Sequence, residues 1–187
     1  MDPDKNPKTV IRDWLRGDVS GQTYGGLTDP NSSERAGANW IYDDKPLTDL
    51  SSSSYPRVSI LQVTKQKVTR GGRSSLAYDR IHLQVDVYCA ERITNLQVGG
   101  TSYDQQQLTD ILAQQMQEGM ITYLTDDLFT YGGLYLPTDE EWMVNDIQSR
   151  RDEGRDAVGS TATGGTRDYD VWVKTFEIVL RGFNTGV

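Results

Sequence analysis

Apolar and polar positions follow two different periods along this chain, and the points where the period changes divide it into elements. The first segment is helical in period. Val10, Ile11, Trp14 and Leu15 fall on one side, with Arg12, Asp13 and Arg16 on the other. Asn6 can cap its start, Pro7 suits the first helical position and Gly17 can close it, which predicts a helix over 5–17. A helix this short is marginal alone in water, so it has to dock on something. Residues 18–55 show neither period. Glycines, prolines and the serine run Ser51 to Ser54 punctuate them, yet Tyr24, Trp40, Ile41, Tyr42 and Leu47 also occur there. The segment reads as an extended arm that wraps its own domain or a neighbouring subunit, or else as a loose loop with stray aromatics.

From Tyr55 the period becomes two. Arg57 to Thr64 is a β-branched strand whose apolar residues change face after Ile60, which points to a bulge or to burial on both sides. The next strand is cleaner: Ile81, Leu83, Val85, Val87 and Cys89 alternate with Arg80, His82, Gln84, Asp86 and Tyr88. The connection between them, KQKVTRGGRSSLAYD, reads as a long hairpin tip around Gly71-Gly72. A longer amphipathic helix follows, opened by Ser102 with Gln105 or by Asp104 with Gln107. Leu108, Ile111, Leu112, Met116, Gly119, Met120 and Tyr123 mark its apolar side. Gly119 there signals the close approach of another element, or tolerance near a helix end. Two more strands are expected, over 140–148 and 169–182, joined by a glycine-rich, highly charged linker. The last strand is apolar on both faces. Its own helices can cover one face, and the arm or another protein the other.

The order helix, arm, hairpin, helix, hairpin predicts one α+β domain over 1–187, with its sheet–helix–sheet core over 56–182. The sheet is roughly four-stranded and mostly antiparallel, helices pack on one face, and long β-hairpins project.

Composition narrows the functional classes. Basic residues number 19 and acidic residues 27, a formal net charge of −8, which opposes a surface that grips nucleic acid or anionic membrane throughout. No apolar run is long enough to span a bilayer, and the N-terminal residues lack the apolar core of a secretory signal. One cysteine and one histidine exclude an internal disulfide and leave almost no route to a Cys/His zinc site. Gly71-Gly72 lacks the lysine and hydroxyl residue of a phosphate loop. Asp126-Asp127 and Glu140-Glu141 read as helix ends and solvated turns. His82 with Asp86 has no nucleophile beside it, and Cys89 reads as a small buried hydrophobe. The expectation is a protein that is not an enzyme and uses no cofactor and no metal, working through its surfaces.

Three surfaces stand out. Lys65, Lys67, Arg70 and Arg73 form a basic cluster at the first hairpin tip, suited to DNA phosphates or an acidic partner, or to keeping the tip soluble and the strand edges protected. Arg150, Arg151 and Arg155 are interleaved with Asp152, Glu153 and Asp156, a mixture suited to contact between subunits. Trp40 and Tyr42 in the arm, with Val171 and Val173 on the second face of the last strand, complete the candidate inter-subunit or partner contacts.

The segments NWIYDDKPLTDL, SSSSYPRVSI, HLQVDVYC and YDVWVKTFEIVLRG, in that order after a capped N-terminal helix and with a long amphipathic helix before the last, carry a resemblance. The chain resembles the tail-terminator, or tail-completion, proteins of long-tailed viruses over most of residues 5–182. The resemblance implies an α+β fold and a hexameric ring of identical chains. Such a ring caps the last ring of the tail-tube protein, stops tube growth and offers a surface to the neck or connector protein. It implies a virion location and no membrane, with genomic DNA passing through the lumen without specific binding. A head-closure or adaptor ring of the neck is the alternative, and a DNA-binding module a more distant one. Asp outnumbers Glu by 20 to 7 and Arg outnumbers Lys by 13 to 6, which with the low isoelectric point hints at a high-salt host such as a haloarchaeon, or reflects high-GC coding.

Overall fold

The computed structural model describes residues 6–35, 39–44, 55–69, 77–90, 96–124, 127, 144–152 and 171–183. Helix α1 (Pro7–Arg16) forms as its sequence dictates. The Asn6 side chain accepts from the Lys8 amide, Gly17 closes the helix in a left-handed conformation, and Val10, Ile11, Trp14 and Leu15 are buried. Strands β2 (Arg57–Thr69), β3 (Ala77–Ala90), β6 (Val144–Asp152) and β7 (Val171–Phe183) make an antiparallel sheet in the order β2-β3-β7-β6. A short strand, β1 (Ile41–Tyr42), adds to the β2 edge in parallel, opposite Val58 and Ser59. With the two longer helices on one face, the domain is α+β as expected.

That face is the main core. Val58 and Ile60 of β2, Ile81 to Cys89 at alternate positions of β3, and Phe176, Ile178 and Leu180 of β7 meet the apolar sides of α1 and α3 (Gln105–Gly119). α3 opens with a capping box in which Asp104 and Gln107 bond reciprocally, the second of the two pairings considered. Leu108, Leu112, Met116, Met120 and Leu124 are buried at fourfold spacing, the last two in a π-helical turn (Met120–Leu124). Tyr123, expected on the apolar side, faces outward because the wider π turn rotates the stripe.

Several expectations shift. In its described part the arm wraps its own domain, the first of the two alternatives. It gains a one-turn helix α2 (Ser32–Arg35) and strand β1, both too short to leave a periodic signal. Its aromatic and aliphatic residues are the reason: Leu27, Trp40 and Ile41 enter the main core. β2 does carry a bulge, between Gln62 and Thr64, where one extra residue opposes β3. Leu61 lies opposite Gln84 on the second face before it, so the apolar face change begins ahead of the bulge. Pairing then continues to Thr69 opposite Ala77, so Lys65 and Lys67 belong to a strand and not to a tip. Their low β-propensity is overridden by ladder pairing with β3. A small hairpin of β4 (Leu96–Val98) and β5 (Thr101–Tyr103), turning at Gly99-Gly100, was not anticipated. Strand β6 begins later and runs further than 140–148, placing Arg150 and Arg151 in the ladder opposite Val173 and Trp172. The hairpin tips at 70–76 and 153–170, and residues 45–54, lie outside the described residues.

The second face of β7, open in the sequence to cover by the arm or by another protein, is closed at Val171 and Val173 within the single chain. They are 0% and 1% exposed, and Tyr55 at the end of the arm takes part. Both valines pack with Tyr55, Tyr88 and Ala90 in a second apolar cluster. Above it the Arg57 guanidinium lies 4.7 Å from the Tyr55 ring centre and 4.8 Å from that of Tyr88. Toward the middle of the same face Asp86 accepts from Tyr88 Oη at 2.9 Å, Thr175 Oγ1 at 2.7 Å and Gln84 Nε2 at 2.9 Å. The second face is a mixed polar and apolar layer completed within the chain.

The arm is pinned to α1 by backbone contact. Leu27 N donates to Leu15 O at 2.7 Å, and a Cβ on Gly26 would lie 2.7 Å from the backbone of Arg16 and Gly17, at a φ of +80°. No side chain fits there without moving the helix end. Gly26→Ala is therefore expected to destabilise the fold by about 2 kcal/mol or more, read from the urea midpoint at unchanged slope.

Candidate functional site

The arm, α1 and the end of α3 converge on one buried carboxylate. Asp127 is 1% exposed. It accepts from Trp14 Nε1 at 2.9 Å, from Thr23 N at 2.6 Å and from Tyr24 N at 3.0 Å. Burial pushes its pKa up, but the three hydrogen bonds outweigh burial and hold the carboxyl below its ordinary value. The neighbouring polar bonds reinforce the arrangement: Gln22 accepts from Val19 N at 2.9 Å and donates to Trp14 O at 2.9 Å and to Tyr24 O.

The Tyr24 ring, held by that clamp, stacks on Trp14 at 4.4 Å between ring centres and lies 6.0 Å from the ring of Tyr123. Its outer edge covers Gly119, where a Cβ would meet the ring at 2.7 Å. The glycine thus marks the close approach of an arm side chain. Burial raises the Tyr24 hydroxyl to about 12, so it stays neutral. Beside this stack opens a groove of about 640 Å³, walled by Tyr24, Leu27 and Thr28 of the arm, Gln97 to Gly99 of the small hairpin, and Gln115, Glu118, Gly119, Thr122 and Tyr123. Ile121 and Tyr123 next to it are 69% and 38% exposed, the large hydrophobic side chains left uncovered among the described residues. From Leu96 to Leu124 the chain carries Asp104, Asp110 and Glu118 and no lysine or arginine. Lys174 of β7 pairs with Asp110, so two of these three carboxylates have no basic side chain against them among the described residues.

The residues singled out from sequence do not gather at this groove. Trp40 is buried in the main core beneath the Arg35 guanidinium, 5.7 Å from its ring centre, and its carbonyl accepts from Val58 N. Trp40, Val171 and Val173 are therefore closed to a partner by the chain's own packing. Tyr42 stays partly exposed, its hydroxyl donating to Asn39 O at 2.6 Å. Arg150 and Arg151 sit on the edge strand β6, and Lys65 and Lys67 on β2. Arg70, Arg73 and Arg155 lie outside the described residues. Asp86 is engaged by Gln84, Tyr88 and Thr175, and burial pushes the Cys89 thiol up to about 12, which leaves it inert as a nucleophile. Among the described residues no cluster of His, Cys, Asp and Glu can hold a metal ion, and no helix is long and apolar enough to cross a membrane.

Asp127 is helical, in keeping with the helix-end reading of Asp126-Asp127, but it is buried and not solvated. A signal was present: a tryptophan on a fully apolar helical stripe needs an acceptor for its indole N–H.

Compared with known proteins, the chain matches no family model and no curated protein.

Two outcomes test the clamp and the groove wall. Asp127→Asn keeps the shape and removes the charge, so it should cost about 2–3 kcal/mol, the range of hydrogen bonds to charged groups. Because the folded pKa lies below the unfolded one, this stabilisation is present above the ordinary value of 3.8 and fades as pH falls through the folded value. The variant should lose that part of the acid slope in pH-dependent urea unfolding. Gly119→Ala should destabilise by about 1 kcal/mol despite its better helix propensity, because the stacked Tyr24 ring cannot retreat. In a Tyr24→Ala background the sign should reverse.

Proposed function

We propose that the chain is a structural virion protein that forms a ring at the end of a viral tail tube, ends tube growth and joins the tail to the head–neck complex. The observation that carries this reading is an open sheet with its helices on one face, in the element order on which the resemblance rests. The sheet does not close: β1 and β6 stand at opposite ends of the strand order. A small closed barrel would have favoured the head-closure alternative.

What the single chain leaves incomplete is its edges and not its faces. Strand β6 has β7 on one side and no strand on the other among the described residues. β1 covers only Val58 and Ser59 of β2, so the outer edge of β2 from Ile60 onward has no strand partner among them either. Open edges of this length invite pairing or cover by another chain, and a ring of copies supplies a neighbour at each end. The work is mechanical and draws on no catalytic group. The net charge of −8 suits a conduit through which DNA slides without sticking.

Cryo-electron microscopy of purified virions should place this chain in a sixfold ring at the junction of head and tail. A chain found elsewhere in the particle, or absent from it, overturns the reading.

A further inference from the structure

Several independent features meet at the groove beside α3. The first is hydrogen-bonding capacity that the chain leaves unused. Among the described residues the side chains of Thr28, Gln115 and Thr122 and the hydroxyls of Tyr24 and Tyr123 make no hydrogen bond. Gln97 has only a long one, 3.5 Å to Ser102 Oγ. Tyr24 is half-buried, and a phenol drawn out of water ordinarily finds a partner. Next, part of the wall is the π-helical turn Met120–Leu124, a rare geometry that is frequent at functional sites. The volume of about 640 Å³ falls within the range of about 300–1,000 Å³ typical of ligand clefts. Finally, Glu118 is the one charged residue in the walls.

These features select a ligand by exclusion. An anionic ligand would meet Glu118 and no cation. A cationic one would engage chiefly Glu118, which is exposed and already accepts from Gln114 at 2.8 Å, and would leave the neutral groups unused. A planar aromatic ligand has to stack, and both faces of Tyr24 are taken, by Trp14 at 4.4 Å and by Tyr123 at 6.0 Å between ring centres. A largely apolar ligand would strip water from the polar side chains without replacing its bonds. A ligand dense in hydroxyls does replace them, since each hydroxyl donates and accepts as water does. Gln115 and Glu118 lie three residues apart on one face of α3. Each ends in two polar atoms side by side, an arrangement that takes neighbouring hydroxyls as a pair. Leu27 and Val98 supply an apolar patch for the C–H face of a sugar ring.

We propose that this groove binds a neutral mono- or disaccharide. The inference is independent of the ring reading, because every group it uses belongs to the single chain. Its arm wall stands where the Asp127 clamp holds Tyr24, so the site is complete only with the arm docked. Binding that draws on neutral hydrogen bonds in an open groove is weak, with a dissociation constant on the order of 1 mM.

The test uses the full chain, ¹⁵N-labelled and followed by its amide NMR spectrum. The probes are methyl glucoside, methyl galactoside, methyl mannoside, N-acetylglucosamine and maltose, each titrated to about 50 mM, well above the expected dissociation constant. With a sugar that binds, amide shifts should concentrate at Thr28 and at positions 97–99 and 115–123. Tyr24→Phe keeps the ring stack and removes the hydroxyl. It and Gln115→Ala should each weaken that binding about fivefold, the effect of one hydrogen bond. Gln106→Ala, on the same helix outside the groove, should leave binding unchanged. The spectrum of each variant without sugar reports whether its fold is intact. A panel in which no sugar moves the groove amides overturns the proposal. So do shifts scattered over the whole surface, or binding indifferent to both Tyr24→Phe and Gln115→Ala. Inorganic phosphate or butylammonium moving the same amides while the sugars do not also overturns it, and assigns the groove to an ion.

Discussion

A single buried carboxylate, Asp127, holds the arm to the body of this protein. Its three donors come from α1 and from the arm, more than a hundred residues earlier in the chain. Each bond is charge-assisted, and the one from Trp14 is fully buried, the setting in which such bonds are strongest and in which leaving them unmade costs most. The consequence is geometric. With Thr23 N and Tyr24 N fixed on Asp127, the Tyr24 ring has one place to go, between Trp14 and Tyr123 and over Gly119. The groove wall exists because the clamp exists, and the glycine in α3 exists because the ring needs its space.

The opposite face of the sheet follows a different logic. There the chain closes an apolar patch with its own tyrosines and places a guanidinium over two aromatic rings. Asp86 then gathers hydroxyl and amide donors from its own strand and from β7. A face finished in this way offers little that a partner gains by covering, since its apolar area is already out of water. Association between copies has to draw on strand edges and on the exposed Ile121 and Tyr123. That changes the character of the proposed ring, from subunits that share a core to finished domains that touch at their edges.

Much of this architecture was legible in the sequence wherever a period ran for several residues. Helix α1 with both caps, the alternation of β3 and the capping box of α3 follow from local patterning. The α+β class follows from their order. What escaped were features whose cause is distant. The one-turn helix α2 and the two-residue strand β1 are too short to carry a period. Strand ends were misjudged where ladder pairing carried polar residues such as Lys65, Lys67, Arg150 and Arg151 into strands that propensity would have ended. The candidate partner residues Trp40, Val171 and Val173 were selected for being apolar, and that is why the core took them. The groove was illegible because its walls come from the arm, a glycine turn and the far end of α3, which no spacing rule connects.

Net charge bears on how copies of this chain would meet. Two chains of net charge −8 repel at long range. A pairing of like edges, β6 on β6, would be twofold and self-limiting, whereas pairing unlike surfaces repeats in one direction until it closes or runs on as a filament. Salt screens charge interactions within a few ångströms at high ionic strength and leaves apolar burial nearly intact. Added salt therefore relieves the repulsion between copies, and a contact built on strand edges and the exposed Ile121 and Tyr123 gains from it, whereas one built on charge pairs would lose.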